Sequence, residues 1–128
     1  MSSLQHAVTG NALTFSLEDE MRIVRGNLAD ADERIGRTLL KNGPLRVTMV
    51  ALKPGGALQP HHSEGPITVQ VLEGAIDFEV GGEVHKLSAG TLFSLAPRLV
   101  HSVRSADGAI FLLTLALPTA AGDQPSAG

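Results

Sequence analysis

The sequence predicts an all-β domain, a sandwich or a barrel closed from two sheets, with short helices ahead of it. From about residue 39 onward, short apolar runs rich in Val, Ile, Leu and Thr are broken by Gly or Pro about every eight to ten residues, which indicates about eight or nine strands. No helical pattern alternates with these runs. Two-sheet closure limits the number of exposed edges, so this many short strands in one small domain favour a sandwich or barrel.

Each element is justified by local signals. Ser16 is suited to cap a helix over "SLEDEMRIVRGN", whose first turn is acidic, and Gly26 with Asn27 is expected to end it. A second, weakly helical patch follows in "LADADERIG". In the strand region, Asn42-Gly43 and Gly81-Gly82 are predicted two-residue hairpin turns, because Asn and Gly tolerate positive φ.

These signals divide the chain into three parts. Residues 1–36 form a predicted helical and extended segment that packs on the barrel, residues 37–117 form the barrel, and the small, aperiodic residues 118–128 form a flexible tail. A length of 128 residues fits one domain with a single core.

Composition excludes several classes of function. The chain has no cysteine, so disulfides, thiolate metal sites and cysteine nucleophiles are excluded. The net charge of −3, with no basic cluster and no Trp or Tyr, argues against nucleic acid as a partner. No long apolar run or basic-then-apolar leader indicates a membrane span or signal peptide, so we expect a cytoplasmic protein with no membrane partner.

Two spaced motifs carry a resemblance to a known family. In the first, Gly55, His61 and Gly74 hold the places of the glycines and first histidine of GxxxxxHxHxxxExxxxxxG, the first motif of the cupins, while Ser63 stands at the second histidine and Ile67 at the glutamate. The resemblance covers Leu45 to about Leu117 and implies a cupin-like double-stranded β-helix, which is a jelly-roll barrel.

The second cupin motif, GxxxxxPxGxxHxxxN, is similar to "GTLFSLAPRLVHSVRS". Its first glycine and its histidine are matched by Gly90 and His101. Ala96, Arg98 and Ser105 replace its proline, second glycine and asparagine. The spacing is therefore kept better than the residue identities.

The resemblance implies a divalent metal, such as iron, manganese, nickel or zinc, at the positions of His61 and His101. A cupin's three histidines and one glutamate leave open positions for substrate or oxygen. Here Ser63 is a poor ligand and Ile67 is none, which would weaken a metal site by several orders of magnitude if each lost ligand costs about 10 to 100-fold. A histidine-lined pocket with no tightly bound metal is the equal alternative.

An alternative register leaves open which histidine faces the pocket. A shift of one residue would turn His62 and Glu64 inward in place of His61 and Ser63, because side chains alternate faces along a strand. Gln70 could then add an amide oxygen to the pocket, although it alternates with the apolar face of its run. Position 61 is favoured, since counting from either glycine of the first motif gives the same place. His61 and His101 should then lie with their imidazoles about 3 to 5 Å apart and titrate as a pair.

Three classes of function remain open at this stage. The resemblance implies a metal-dependent oxygenase or isomerase acting on a small organic substrate; the missing ligands favour a non-enzymatic module that binds or senses a small molecule; a purely structural dimerisation domain would have a filled pocket. The partners expected are a small-molecule ligand and, by resemblance, a second copy in a homodimer. His85 is interpreted as a strand residue without a chemical role and Arg98 as a surface-loop arginine.

Overall fold

The computed structural model describes residues 7–118 as one helix followed by eight strands. Every strand pair is antiparallel, and the described chain has no helix after the first strand, so the predicted all-β body is confirmed. No helix within this range is long and apolar enough to cross a membrane. The elements are α1 (Leu17–Leu28), β1 (Arg34–Asn42), β2 (Leu45–Leu52), β3 (Ala57–His61), β4 (Ile67–Val80), β5 (Glu83–Ser88), β6 (Leu92–Leu95), β7 (His101–Arg104) and β8 (Ala109–Ala116).

The N-terminal region differs from the sequence-based expectation in two ways. Helix α1 is capped by Ser16 as predicted, with the Ser16 hydroxyl accepting from the Asp19 backbone N–H at 3.2 Å, but it continues past Gly26 to Leu28. The prediction of a second helix over "LADADERIG" is wrong, because residues 29–33 form turns and bends and β1 begins at Arg34. The long β1/β2 ladder starts there and overrides a weak local preference for helix. His6 and residues 119–128 of the expected tail lie outside the described residues.

The strands form two sheets that share one strand. The larger sheet has the order β1, β2, β8, β4, β6, and the smaller sheet has the order β5, β4, β7, β3. The first half of β4 pairs in the larger sheet and its second half pairs in the smaller one. Ile67 pairs with Leu95 at the end of β6, and Val80 pairs with His101 at the start of β7. Only five residues join Leu95 to His101, so the two termini of β4 lie at the same end of the barrel. We call this end the mouth.

The core has two parts, one on each side of the larger sheet. Between the sheets, the inward side chains form one apolar cluster that includes Phe78 and Phe111. On the outer side, α1 packs Val24 against Leu39, Met49 and neighbouring residues. The larger sheet is therefore covered on both faces, which is why successive residues at the end of β2 are all buried.

Ion pairs attach the helix to the barrel. The Glu20 carboxylate accepts from Arg37 Nε at 2.6 Å, and both side chains are nearly buried. Arg25 pairs with Glu73 at the bend of β4, and Lys53 donates to the backbone carbonyl of Ala31 just after α1. These contacts hold the N-terminal segment in place without contributing to the mouth.

The hairpins match the glycine signals with one shift. Gly81 and Gly82 form the two-residue β4/β5 turn, with φ of 57° and 83°, as predicted. The β1/β2 turn consists of Gly43 and Pro44, one residue later than expected, because Asn42 pairs with Leu45. The β4/β5 hairpin forms part of the mouth.

Candidate functional site

Two histidines meet at the mouth of the barrel. His61 on β3 and His101 on β7 are register partners in the smaller sheet, and their ring centroids lie 4.4 Å apart at an interplanar angle of 62°. This separation lies within the range predicted from the motif spacing. His61 is exposed, whereas His101 is only 4% exposed. We refer to these two residues as the histidine pair.

A bulge in β3 sets this register. Leu58 pairs with Val103, and the next pair is His61 with His101, so β3 has one more residue between these pairs than β7. Pro60 lies within the irregular stretch, where the missing N–H of proline costs little, since β3 is an edge strand. Without the extra residue, position 60 would lie opposite His101.

Both imidazoles are oriented by backbone carbonyls two residues earlier in the chain. His61 Nδ1 lies 2.7 Å from the Gln59 carbonyl oxygen, and His101 Nδ1 lies 2.9 Å from the Leu99 carbonyl oxygen. A carbonyl only accepts, so each Nδ1 carries the proton and donates. When the rings are neutral, each therefore presents the lone pair of Nε2.

His101 is kept neutral by its surroundings. Its ring stacks on Phe78 with centroids 5.1 Å apart and an interplanar angle of 14°. Burial lowers the pKa of His101 below its usual value, the hydrogen bond to the Leu99 carbonyl opposes this, and positive charge on His61 or His62 would lower the pKa further. At neutral pH, His101 is thus a hydrogen-bond acceptor at Nε2.

A cavity of about 370 Å³ opens beside His101 at the mouth. Its walls are mainly apolar, and its polar residues are Glu79, His101 and Ser102. Glu79 and Ser102 are register partners on the outer face of the smaller sheet, whereas the His101 ring stacks on Phe78 on the inner face. We call it the mouth cavity; its lining residues are Pro60, Glu79, Val80, Gly81, Leu99, Val100, His101 and Ser102. Its volume falls within the range of about 300 to 1,000 Å³ that is usual for ligand pockets.

The other two positions of the first motif supply no ligand. Ile67 is 3% exposed and belongs to the apolar cluster between the sheets, at the mouth end of β4. Ser63 is half-buried, and its carbonyl accepts from the Arg98 backbone N–H at 2.7 Å. The position at which the motif has its glutamate is therefore occupied by a buried hydrocarbon side chain.

The alternative register does not occur in the structure. His62 and Glu64 pair with each other on the surface, with His62 Nε2 3.1 Å from Glu64 Oε2 and about half of each side chain exposed. Gln70 is exposed and alternates with the buried Val69 and Val71 of β4, so it points away from the barrel interior. The structure thus brings together His61 and His101, and it places His62, Glu64 and Gln70 outside the pair.

The donor set does not fit a tightly bound metal ion. Two imidazole nitrogens converge at the mouth, but among residues 7–118 no group of three His, Asp or Glu side chains is arranged to hold an ion. Tight sites for divalent metals use three or four protein ligands. The residues present would give weak binding at most.

Sequence reasoning missed an aromatic row behind the histidine pair. Phe93 packs on Phe78 and on His85, with ring centroids 4.9 Å apart in both contacts, so His85 borders the barrel interior. The sequence alone indicates no chemical role for His85, but its half-buried ring belongs to this aromatic row. The available signal was its alternation with the buried Leu87 on β5.

Arg98 also has a structural role that its position in the second motif explains. Its φ of 65° makes it the single non-glycine residue in the described chain with positive φ, and it stands where the motif has glycine. The backbone thus keeps a glycine-like conformation although the side chain has changed. Ser105, at the motif's asparagine, is buried and donates its hydroxyl hydrogen to the Ala75 carbonyl at 2.7 Å.

Comparisons with known proteins agree with this geometry. The family model described as "Cupin domain" matches residues 48–115. No curated protein matches the sequence.

Several solved structures have the same fold. A conserved protein of unknown function from Streptococcus pyogenes is 23% identical, with a TM-score of 0.65 over 71% of this chain and 80% of that chain. An RmlC-like cupin from Shewanella frigidimarina is 20% identical, with a TM-score of 0.64 over 73% and 84%. A variant of salicylate 1,2-dioxygenase from Pseudoaminobacter salicylatoxidans is 20% identical, with a TM-score of 0.75 over 91% of this chain but only 38% of that chain. At these identities the likeness establishes the fold alone.

Proposed function

This chain belongs to the cupin domain family, and on that premise we propose that it binds a small organic molecule in the mouth cavity without a tightly held metal ion. The observation that carries the proposal is the mainly apolar cavity beside His101, a histidine whose tautomer is fixed by the Leu99 carbonyl. A mainly apolar cavity with a few fixed polar groups is the usual form of a small-molecule site.

The apolar wall supplies the affinity. Leu99 and Val100 are 44% and 57% exposed, and together with Pro60 and Val80 they border the cavity. Covering such surface with a ligand contributes about 25 cal/mol per Å² of apolar area, less the cost of immobilising the ligand. His101, which borders the cavity with His61 beside it, would then fix the orientation of the ligand through a hydrogen bond.

A metal-dependent oxygenase or isomerase is the second candidate. Two observations favour it: both imidazoles donate from Nδ1 to a carbonyl, which is how metal-binding histidines are commonly oriented, and one of the similar folds is that of a salicylate 1,2-dioxygenase. The buried Ile67 at the glutamate position weighs against it. We therefore place the binding module first.

The experiment uses benzylamine, benzyl alcohol and benzoate as probes of one shape, in calorimetric titrations of protein purified without a metal-affinity tag. We expect saturable binding of at least one probe. His61→Ala and His101→Ala should weaken it by more than about tenfold, which is 1.4 kcal/mol. His62→Ala is the matched control, since it removes an adjacent exposed imidazole, and it should change affinity by less than about tenfold.

Two results would count against the proposal. One is the failure of all three probes to bind, and the other is a loss with His62→Ala that equals the loss with His61→Ala. Elemental analysis of the same protein decides between the candidates, because near-stoichiometric iron, manganese, nickel or zinc would favour the enzyme.

A further inference from the structure

The residues that line the mouth cavity include a carboxylate and no Lys or Arg, unlike those of a site that binds an organic acid. We infer that the cavity selects a small organic cation, such as a primary amine with an apolar body, over an acid of the same shape. This inference rests on the proposed function and adds the chemical class of the ligand. It follows from the carboxylate of Glu79, the neighbouring hydroxyl of Ser102 and the absence of Lys and Arg from the residues that line the cavity.

Glu79 supplies a carboxylate without a partner. It is exposed on the outer face of β4, and its register neighbours are Ser102 on β7 and Val84 on β5, neither of which carries a charge. Within residues 7–118 its carboxylate has no hydrogen bond or ion pair. A carboxylate that borders an apolar cavity and lacks a counter-ion attracts a positively charged group.

The hydroxyl of Ser102 adds one neutral polar group beside Glu79, since the two residues are register partners on the outer face of the smaller sheet. His101 precedes Ser102 on β7, and its imidazole lies on the inner face, where it stacks on Phe78. A bound carboxylate would meet the Glu79 carboxylate without a fixed side-chain cation. An ammonium group has three N–H donors and could use the Glu79 carboxylate and the Ser102 hydroxyl.

The nearest cations on this sheet lie opposite another carboxylate. Lys86 and Arg104 are both register partners of Asp77, which lies two residues before Glu79 on the same face of β4. Lys86 Nζ lies 3.2 Å from Asp77 Oδ1. No Lys or Arg is among the residues that line the mouth cavity, so the charge of Glu79 dominates there.

The test compares benzylamine with benzoate, which share one shape and carry opposite charges, and uses benzyl alcohol as the neutral reference. Titrations at about pH 8 keep benzylamine positively charged and benzoate negatively charged. We expect wild-type protein to bind benzylamine at least about tenfold more tightly than benzoate, and Glu79→Gln to abolish this preference. Glu83→Gln is the control, because it removes one exposed carboxylate of the neighbouring strand that does not line the cavity, and it should keep the preference.

Each outcome bears on a different statement. Equal binding of the three probes, or tighter binding of benzoate, would overturn this inference but leave the proposed function standing if His101→Ala still weakens binding. An equal loss of preference with Glu83→Gln and Glu79→Gln would also overturn it, since the effect would then belong to net charge. Failure of every probe to bind would overturn the proposed function and this inference together.

Discussion

Replacing Ile67 with glutamate should create a metal site that the wild-type protein lacks. Ile67 stands at the glutamate position of the first motif, faces the barrel interior and lies at the mouth end of β4. With a carboxylate there, the histidine pair would gain the third ligand of a two-histidine, one-carboxylate set. We therefore expect Ile67→Glu, and not the matched Ile67→Gln, to bind divalent metal.

The size of the effect follows from burial. Ile67 is 3% exposed, so either substitution loses about 1.5 to 3 kcal/mol of apolar burial. Without metal, a carboxyl group buried there stays protonated, although the usual pKa of glutamate is about 4.3. At about pH 7.5 this protonation lowers the free energy of unfolding of Ile67→Glu by about 4 kcal/mol relative to Ile67→Gln, at about 1.36 kcal/mol per pH unit. At about pH 5 the extra cost falls to about 1 kcal/mol.

Thermal unfolding with and without metal measures the gain. A free metal concentration of about a thousand times the dissociation constant would contribute about 4 kcal/mol to the folded state. This corresponds to a rise in Tm of about 10 °C or more for Ile67→Glu on adding zinc or nickel. The wild-type protein and Ile67→Gln should shift by less than about 2 °C, which is about half a kcal/mol.

Two results would refute this reasoning. If Ile67→Glu gains no more from metal than Ile67→Gln, the side chain at position 67 does not point towards the histidine pair. If the wild-type protein gains as much as Ile67→Glu, two imidazoles suffice and the argument from the donor set is wrong. Should Ile67→Glu be unfolded without metal, recovery of its circular dichroism spectrum on adding metal gives the same decision.

The remaining predictions concern stability and assembly. Arg98→Gly should be more stable to urea than Arg98→Ala by about 1 kcal/mol, because both remove the arginine but only glycine is at ease at a φ of 65°; equal stabilities would contradict the strain. Because the pKa of His101 is lowered in the folded protein, the unfolded chain binds more protons near pH 6.5. The free energy of unfolding of the wild-type protein should therefore fall as the pH falls through about 6.5. In denaturation experiments at about pH 8 and pH 5.5, His101→Gln should show a smaller change in this free energy. An equal change in wild type and His101→Gln would contradict a lowered pKa of His101. The edge strands β1 and β3 leave backbone groups available for pairing, so we expect a dimer in sedimentation at tens of micromolar, and a monomer would contradict it.

The all-β class and the histidine register were predictable because they depend on spacing. Glycines at fixed intervals indicated the turns, and counting from Gly55 and from Gly74 gave the same position for His61. The exposed position of Gln70 also followed from simple alternation. These features are properties of the chain's periodicity, which a single sequence displays.

What depends on long-range contacts was not predictable. The stretch LADADERIG, residues 28–36, looks weakly helical, but the ladder with β2 draws its last three residues into a strand. The bulge before His61 and the packing of His85 on Phe93 arise between strands distant in sequence. Glu79 looked like any solvated strand residue, since only the fold places it beside the mouth cavity.

The strand β4, shared by both sheets, limits how the barrel can move. The backbone of β4 runs from one sheet into the other, from Ile67 to Val80. The two sheets therefore cannot separate without disrupting the hydrogen bonds of β4. Breathing motions that admit a ligand must then start at the free edges, and β3, which carries His61, is one of those edges. The backbone amide hydrogen of His61 on β3 should therefore exchange faster than that of His101 on β7, which is paired on both sides. His101 then keeps a fixed position, while His61 can move with the edge strand.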